Sequence, residues 1–567
     1  MKAQFINGTR GRLYLSLYVP ENHSGDWIIC FPPFSEEMNK SRKMMSNFSR
    51  KLSESGFAVA VPDLYGTGDS EGDFSDSRWE LWISDLHKII EWIGEKGCKK
   101  LHFWGIRLGC LLALDVASRY QHYPNSFLFW QPVINGNLSM TQFLRLRMAA
   151  TMMSGKKETV NELRDKLFDE GELEVAGYTV SRDLVGSIDS LNMLESELPR
   201  QSVVRWFEIT SNIDKPLPLP TRKIIDRWES SGIDLRVEPI VGDQFWQSQE
   251  ITEIPELIDS SLVSLKDSLS YGEFSLNYSD EHEQDSSDSE QPIQISCKNE
   301  SLSAIYHASG SESKKGVLLV VGGPQYRVGS HRQFVQLSRV LAASGIPVLR
   351  FDYRGMGDST GSHIGFEDIA EDIKCAVDSF QNVSPSVSEV IIWGLCDAAT
   401  AASFYAHTDR RVTGLILLNP WIRNEQTEAK AYIKHYYVKR IFNVNFWRKL
   451  FSGKFKALSS LKSLLSMLSK SRENKSDESS QFDQMSLEKK METGLSLFKG
   501  KVLLFLSGSD LTAAEFDDAV SETKSFSELL RDERFTIDRV TGADHTFSRK
   551  EWKRIVESKS NAWISAI

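Results

Sequence analysis

Three residues in the C-terminal half, Cys396, Asp510 and His545, have the types and the chain order of a nucleophile, an acid and a base. In such a set the imidazole takes the thiol proton and later returns it to the leaving group, while the carboxylate fixes the imidazole tautomer. Cys396 lies in EVIIWGLCDAATAASFYA, an apolar run followed by a run of small residues. That pattern predicts a strand, a sharp turn and a helix, with the thiol at the tip of the turn. Close packing there demands small neighbours, and Gly394 and Ala398 supply them, with Ala where a second Gly is usual. The start of a helix and a nearby imidazole both favour the thiolate.

Asp510 follows the apolar run KVLLFLSG, and His545 sits in VTGADHTFS after the next such run. The backbone N–H of Asp397 and one from the loop Gly322, Gly323, Pro324, Gln325 are expected to form an oxyanion hole. Taken singly these residues have ordinary uses, Cys as a small core side chain and Asp as a helix cap. Their joint placement at strand ends is what points to chemistry. Next to the oxyanion loop, GPQYRVGSHRQF offers Arg327, His331 and Arg332, which either hold an anionic or hydroxylated substrate group or belong to a surface loop. The run Tyr353 to Ser359 reads as a turn and a helix cap.

The elements that must position these residues are visible as apolar runs: GVLLVVGG, IPVLRFDY, EVIIWGL, GLILLNP and KVLLFLSG, separated by helical stretches. This alternation predicts an α/β fold, a mostly parallel sheet flanked by helices. Gly322, Asp352, Cys396, Asn419 and Asp510 then fall at the carboxyl ends of strands, where sites in such sheets collect.

The pattern occurs twice. SGFAVAVPDLYGTGDS at 55–70 returns as SGIPVLRFDYRGMGDS at 344–359, an offset of 289, and the same offset carries WGIR onto WGLC. A length of 567 residues suits two such units, since single cores stop growing near ~300 residues. The expected organisation is a first domain at 1–270, an acidic Ser-rich linker at 271–292 and a second domain at 293–567, with a helical cap at about 421–490. The cap sequence mixes Lys and Arg with aromatic residues, so weak contact with a membrane surface is one reading and packing over the site is the other.

In the first copy the elbow reads HFWGIRLGCLLAL, with Arg107 at the nucleophile position; Phe245 aligns with His545, and Ser211 falls near Asp510. All three roles are therefore missing. Arg107 is expected either to pair with Glu36 or Glu37 or to bind an anion, and the cost of an unpaired buried charge favours the pair.

Composition narrows the classes further. With 41% hydrophobic residues, 25% charged residues and a net charge of −10 without a long basic run, the chain is globular and has no nucleic-acid footprint. Six cysteines show no disulfide or metal spacing. The start has no signal-like apolar segment and no run approaches 18 apolar residues, so a cytoplasmic protein with reduced thiols is expected. No metal or cofactor is implied.

The second half resembles the exosortase A system-associated hydrolase type 1 family, through GGPQYRVGSHRQF, PVLRFDYRGMGDS, GLCDA, LLNPW and GADHTFS. The first half resembles the companion type 2 family, through PPFSEEMNKSR, PDLYGTGDSEGDFSDSRWE, WGIRLG, WQPV, QFLRLR and FWQSQEI. The resemblance implies two paired α/β-hydrolase domains tied to bacterial exopolysaccharide and protein-sorting loci. The expected activity is hydrolysis of a small acyl ester or thioester through an acyl-Cys396 intermediate, with the two domains paired. An acyltransferase using the same residues, or a binding scaffold with both sites idle, are the alternatives.

Overall fold

A computed structural model describes residues 1–21, 24–120, 124–153, 157–248, 250–266, 289–422 and 485–567. Most of the expected cap, with its membrane-contact reading, and most of the expected linker lie outside these residues.

The apolar runs form two eight-stranded sheets. The first contains β1 (Lys2–Asn7), β2 (Arg12–Tyr18), β3 (Asp26–Phe31), β4 (Ala58–Pro62), β5 (Lys100–Ile106), β6 (Ser126–Trp130), β9 (Val203–Thr210) and β10 (Asp234–Val241). A hairpin of β7 (Glu172–Val175) and β8 (Tyr178–Ser181) stands apart from it. The second contains β11 (Glu290–Cys297), β12 (Glu300–His307), β13 (Lys315–Val320), β14 (Val348–Phe351), β15 (Glu389–Leu395), β16 (Val412–Leu418), β17 (Lys501–Ser507) and β18 (Phe535–Val540).

The strand orders are β1-β2-β4-β3-β5-β6-β9-β10 and β11-β12-β14-β13-β15-β16-β17-β18, the same path traced twice. In each, the first two pairings are antiparallel and the others parallel. The central strands are buried on both faces, as their near-continuous Val, Ile and Leu content requires. The internal repeat is thus a repeat of topology. β11 already begins at Glu290, so residues 290–292, read from sequence as connector, are strand.

The halves meet through charge. Arg42 of the first half bonds Asp63 of its own half at 2.7 Å and Asp358 of the other at 2.7 Å. Arg327 of the second half bonds Asp352 at 2.7 Å, Asp358 at 2.9 Å and, across the boundary, Asp69 at 2.8 Å; Arg350 also reaches Asp69 at 2.8 Å. All of these side chains are at most 1% exposed. Asp63 and Asp69 are the repeat equivalents of Asp352 and Asp358, so the network has the pseudo-symmetry of the duplication. Met38 packs beside it against Tyr326, Val328 and Val335.

One covalent feature departs from the expectation of free thiols. Cys297 at the end of β11 and Cys375 are joined as a disulfide, with Cα atoms 5.7 Å apart and 78 residues between them in sequence. No local spacing motif marks such a pair, which the register of β11 against the helix Ala370–Val383 creates.

Candidate active site

Cys396 sits between β15 and the helix Asp397–Tyr405 with φ 61° and ψ −125°. A residue with a side chain holds such a backbone only when its surroundings enforce it. Here the Cys396 N–H donates to the Leu418 carbonyl at 2.9 Å, and the Cys396 carbonyl accepts from the Trp421 N–H at 3.2 Å. A Cβ on Gly394 would lie 2.8 Å from the Ala398 backbone, so strand and helix approach as closely as glycine allows. The first half keeps this elbow without the nucleophile: Arg107 has φ 54°, and a Cβ on Gly105 would lie 2.7 Å from Cys110.

His545 is brought to the same place from the far side of the sheet. Its Nδ1 is 2.9 Å from Asp510 Oδ2, and the imidazole also interacts with the Cys396 sulfur. Asp510 does double duty, since its Oδ2 accepts from the Ala513 N–H at 3.1 Å and caps the helix Leu511–Glu522. Burial pulls the His545 pKa down, but the hydrogen bonds to Asp510 and Cys396 outweigh it and raise it to about 10. Burial pushes the Cys396 thiol up, and the hydrogen bond with His545 offsets this in part. Asp510 and Cys396 thus favour the charged imidazole, while burial disfavours the thiolate.

Sequence reasoning left Asn419 unassigned beyond its place at a strand end, yet it supports this arrangement. Its side chain donates to the His545 carbonyl at 2.8 Å and to Ser507 Oγ at 2.8 Å, and it accepts from the Ser507 N–H at 2.9 Å. Ser507 Oγ in turn donates to the Asp544 carbonyl at 2.8 Å. The loop bearing His545 thus hangs from the ends of β16 and β17. The available signal was a fully buried amide closing the apolar run LILLN.

The expected donor from the loop after β13 faces the Asp397 carboxylate. The Gly323 N–H donates to both oxygens of the Asp397 carboxylate, at 3.0 and 2.9 Å, and the Ala398 N–H donates to Oδ1 at 2.9 Å. Burial raises the Asp397 pKa against the pull of these N–H groups and of its own. Sequence reading considered only its backbone. Pro324 has no N–H and cannot be a donor. Gln325 turns its side chain away, donating to Glu36 Oε1 at 3.0 Å and accepting from Asn39 of the first half.

The proposed substrate-contacting basic residues are corrected by their surroundings. Arg327 is fully buried among three carboxylates. Arg332 donates to the carbonyls of Gly66, Gly68, Ser70 and Gly72 at 2.6 to 2.8 Å. His331 is 4% exposed, donates its backbone N–H to Glu36 Oε2 at 3.1 Å and places Nε2 3.3 Å from Thr546 Oγ1. All three bind the first half or the His545 loop. Arg107 donates to Glu37 Oε1 at 3.3 and 3.2 Å and lies over the Trp246 ring at 4.8 Å, while Glu36 faces the other half. Phe245 packs against Trp130 and Trp246 where a base would stand.

Among the described residues no cluster of His, Cys, Asp and Glu could hold a metal ion, and no helix is long and apolar enough to cross a membrane.

A parallel sheet with an elbow residue at the end of its central strand defines an α/β-hydrolase, and the chain carries two in tandem. It belongs to the hydrolase family described as serine aminopeptidase, S33, whose pattern matches residues 36–179 and 312–493, more than half of the chain. Among solved structures it is similar to a Pyrococcus furiosus esterase, at 18% identity over 49% of this chain and 91% of that one, with a TM-score of 0.35. Est1E from Butyrivibrio proteoclasticus, solved with ferulic acid bound, matches at 16% identity over 48% and 98%, with a TM-score of 0.32. An α/β-hydrolase from Vibrio vulnificus matches at 16% over 49% and 81%, with a TM-score of 0.33. At this level the likeness carries nothing about substrate. No curated protein matches the sequence.

Proposed function

We propose that the chain is a cysteine-dependent hydrolase of an ester or thioester, with the domain at 293–567 catalytic and the domain at 1–270 a silent partner. The sulfur attacks the carbonyl carbon as His545 takes its proton. The bond from carbonyl carbon to the leaving oxygen or sulfur then breaks, and His545 returns the proton to that atom. Water, deprotonated by His545, attacks acyl-Cys396; the C–S bond breaks and the proton goes to sulfur. Asp510 holds the imidazole tautomer throughout. The observation that carries this reading is His545 hydrogen-bonded to Asp510 and interacting with Cys396, which stands at the turn from strand to helix. The likeness to exosortase-associated hydrolases extends the proposal to a bacterial exopolysaccharide or protein-sorting setting.

The test is intact mass spectrometry after incubation with acyl thioesters and p-nitrophenyl esters. An acyl adduct on the wild-type chain that is lost in Cys396→Ala supports the reading. No adduct across the panel, or one that persists in the variant, refutes it.

A further inference from the structure

An oxyanion hole accelerates acyl transfer when its N–H groups wait unpaired at the position where negative charge will develop. In this site they are not waiting. The Gly323 N–H spans both oxygens of Asp397, and the Ala398 N–H takes one of them. Helix capping does not explain the contact, because Gly323 lies 74 residues away on the loop after β13. The loop is shaped around the carboxylate: a Cβ on Gly322 would lie 2.0 Å from Asp397 Oδ1, so any side chain there would expel it. At the offset of 289 the first half has Pro33 and Phe34 where the second has Gly322 and Gly323, and Leu108 follows its elbow residue. The carboxylate is therefore absent in the half that has no nucleophile.

We infer that the Asp397 carboxylate is the resting occupant of the oxyanion hole, and that it determines which acyl donors reach Cys396. This rests on Cys396 being the nucleophile. A neutral carbonyl entering the hole exchanges charge-assisted hydrogen bonds for weaker ones, and the loss is recovered only as the tetrahedral oxyanion forms. Donors with binding groups remote from the carbonyl can offset that loss, whereas minimal activated esters cannot. Asp397 thus selects against small, promiscuous acyl donors.

Two reactions at the same sulfur separate this effect from a change in thiol reactivity. Acylation by p-nitrophenyl acetate needs the oxyanion hole, whereas alkylation by iodoacetamide, a displacement at a saturated carbon, does not. Both rates are measured on the full chain by intact mass, for wild type, Asp397→Ala and Asp397→Asn, with Cys396→Ala as the blank and thermal melting to confirm folding. The expected result is a ratio of acylation to alkylation at least about tenfold higher in Asp397→Ala than in wild type, one freed donor being worth ~100-fold or more in measured cases. Asp397→Asn, neutral but the same shape, should fall between. An unchanged or lower ratio in a folded Asp397→Ala overturns the inference while leaving the nucleophile in place. Acylation of neither protein at Cys396 removes the nucleophile itself, and the inference with it.

Discussion

Glu36 of the N-terminal half accepts a hydrogen bond from Gln325 at 3.0 Å, which ties the loop carrying Gly323 to a domain that has no nucleophile of its own. The same carboxylate accepts from the His331 N–H at 3.1 Å, the Tyr178 hydroxyl at 2.9 Å and Asn39 at 3.2 Å. His331 then touches Thr546, the residue after His545. Glu36 is a positioning residue in this reading, acting through Gln325 and His331. Glu36→Ala should lower acylation of Cys396 by an activated ester about tenfold, in the range of one misplaced donor, while iodoacetamide alkylation stays within about twofold. A loss of melting temperature with both rates unchanged would mean that the contact is only structural.

Asp510 sets the basicity of the imidazole, so its removal has a defined sign. The folded pKa of His545 is raised to about 10 against an ordinary 6.5. Stability from the protonated imidazole is then fully present below about pH 6.5 and is lost as pH rises through about 10. Asp510→Asn should remove most of this slope from the stability profile between those limits. It should also lower turnover on the order of 100-fold or more, as loss of the tautomer-fixing acid does elsewhere. Denaturant midpoints at pH 6, 8 and 10 check the slope. A variant with the wild-type profile would show that Asp510 does not govern the imidazole.

Arg327 neutralises Asp69, Asp352 and Asp358 inside the boundary between the halves. Truncating it leaves buried Asp352 without its cation and Asp69 and Asp358 with one cation fewer, a loss of about 3–5 kcal/mol in comparable cases, whereas breaking an exposed pair such as Lys374 with Asp378 costs under about 1 kcal/mol. Urea unfolding of Arg327→Ala and Lys374→Ala side by side should show that contrast. Equal effects would mean that the buried network is dispensable. The companion Arg42, bonded to Asp63 and Asp358, should behave like Arg327 because it holds the pseudo-symmetric place.

These contrasts show what was legible in the sequence. That Cys396, Asp510 and His545 come near one another is legible because each follows an apolar run, and a parallel sheet brings the ends of its strands to one edge. Arg327, His331 and Arg332 read either as substrate contacts or as a surface loop because sequence places charge beside the oxyanion loop without displaying its partners. Each has a partner in the other half: Asp69 for Arg327, Glu36 for His331 and, for Arg332, the Gly66 carbonyl 266 residues away. The Asp397 carboxylate escaped notice since a nucleophile elbow names the backbone N–H at that position and says nothing about the side chain. Asn419 and the Cys297–Cys375 bond were hidden for a related reason, since each depends on the register of neighbouring strands and helices.

The thiols offer a last prediction that joins fold to site. Cys30 and Cys110 are fully buried, and burial raises both pKa values well above the ordinary thiol value. Burial likewise lifts Cys98 to about 12, while Cys297 and Cys375 are bonded to each other. Cys396 is partly exposed and hydrogen-bonded to His545, which pulls against the effect of burial. Since the thiolate is the reactive form, brief iodoacetamide treatment of the native chain near pH 7.5 should label Cys396 at least about tenfold faster than Cys98. Peptide mapping after the quench reads this directly, with Cys297 and Cys375 unlabelled until reductant and denaturant are added together. His545→Ala should slow the labelling of Cys396 and leave Cys98 unchanged, because His545 acts on Cys396 and Cys98 is governed by burial and Asp26. Preferential labelling of Cys98, or a Cys396 rate indifferent to His545, would mean that the imidazole does not activate the sulfur.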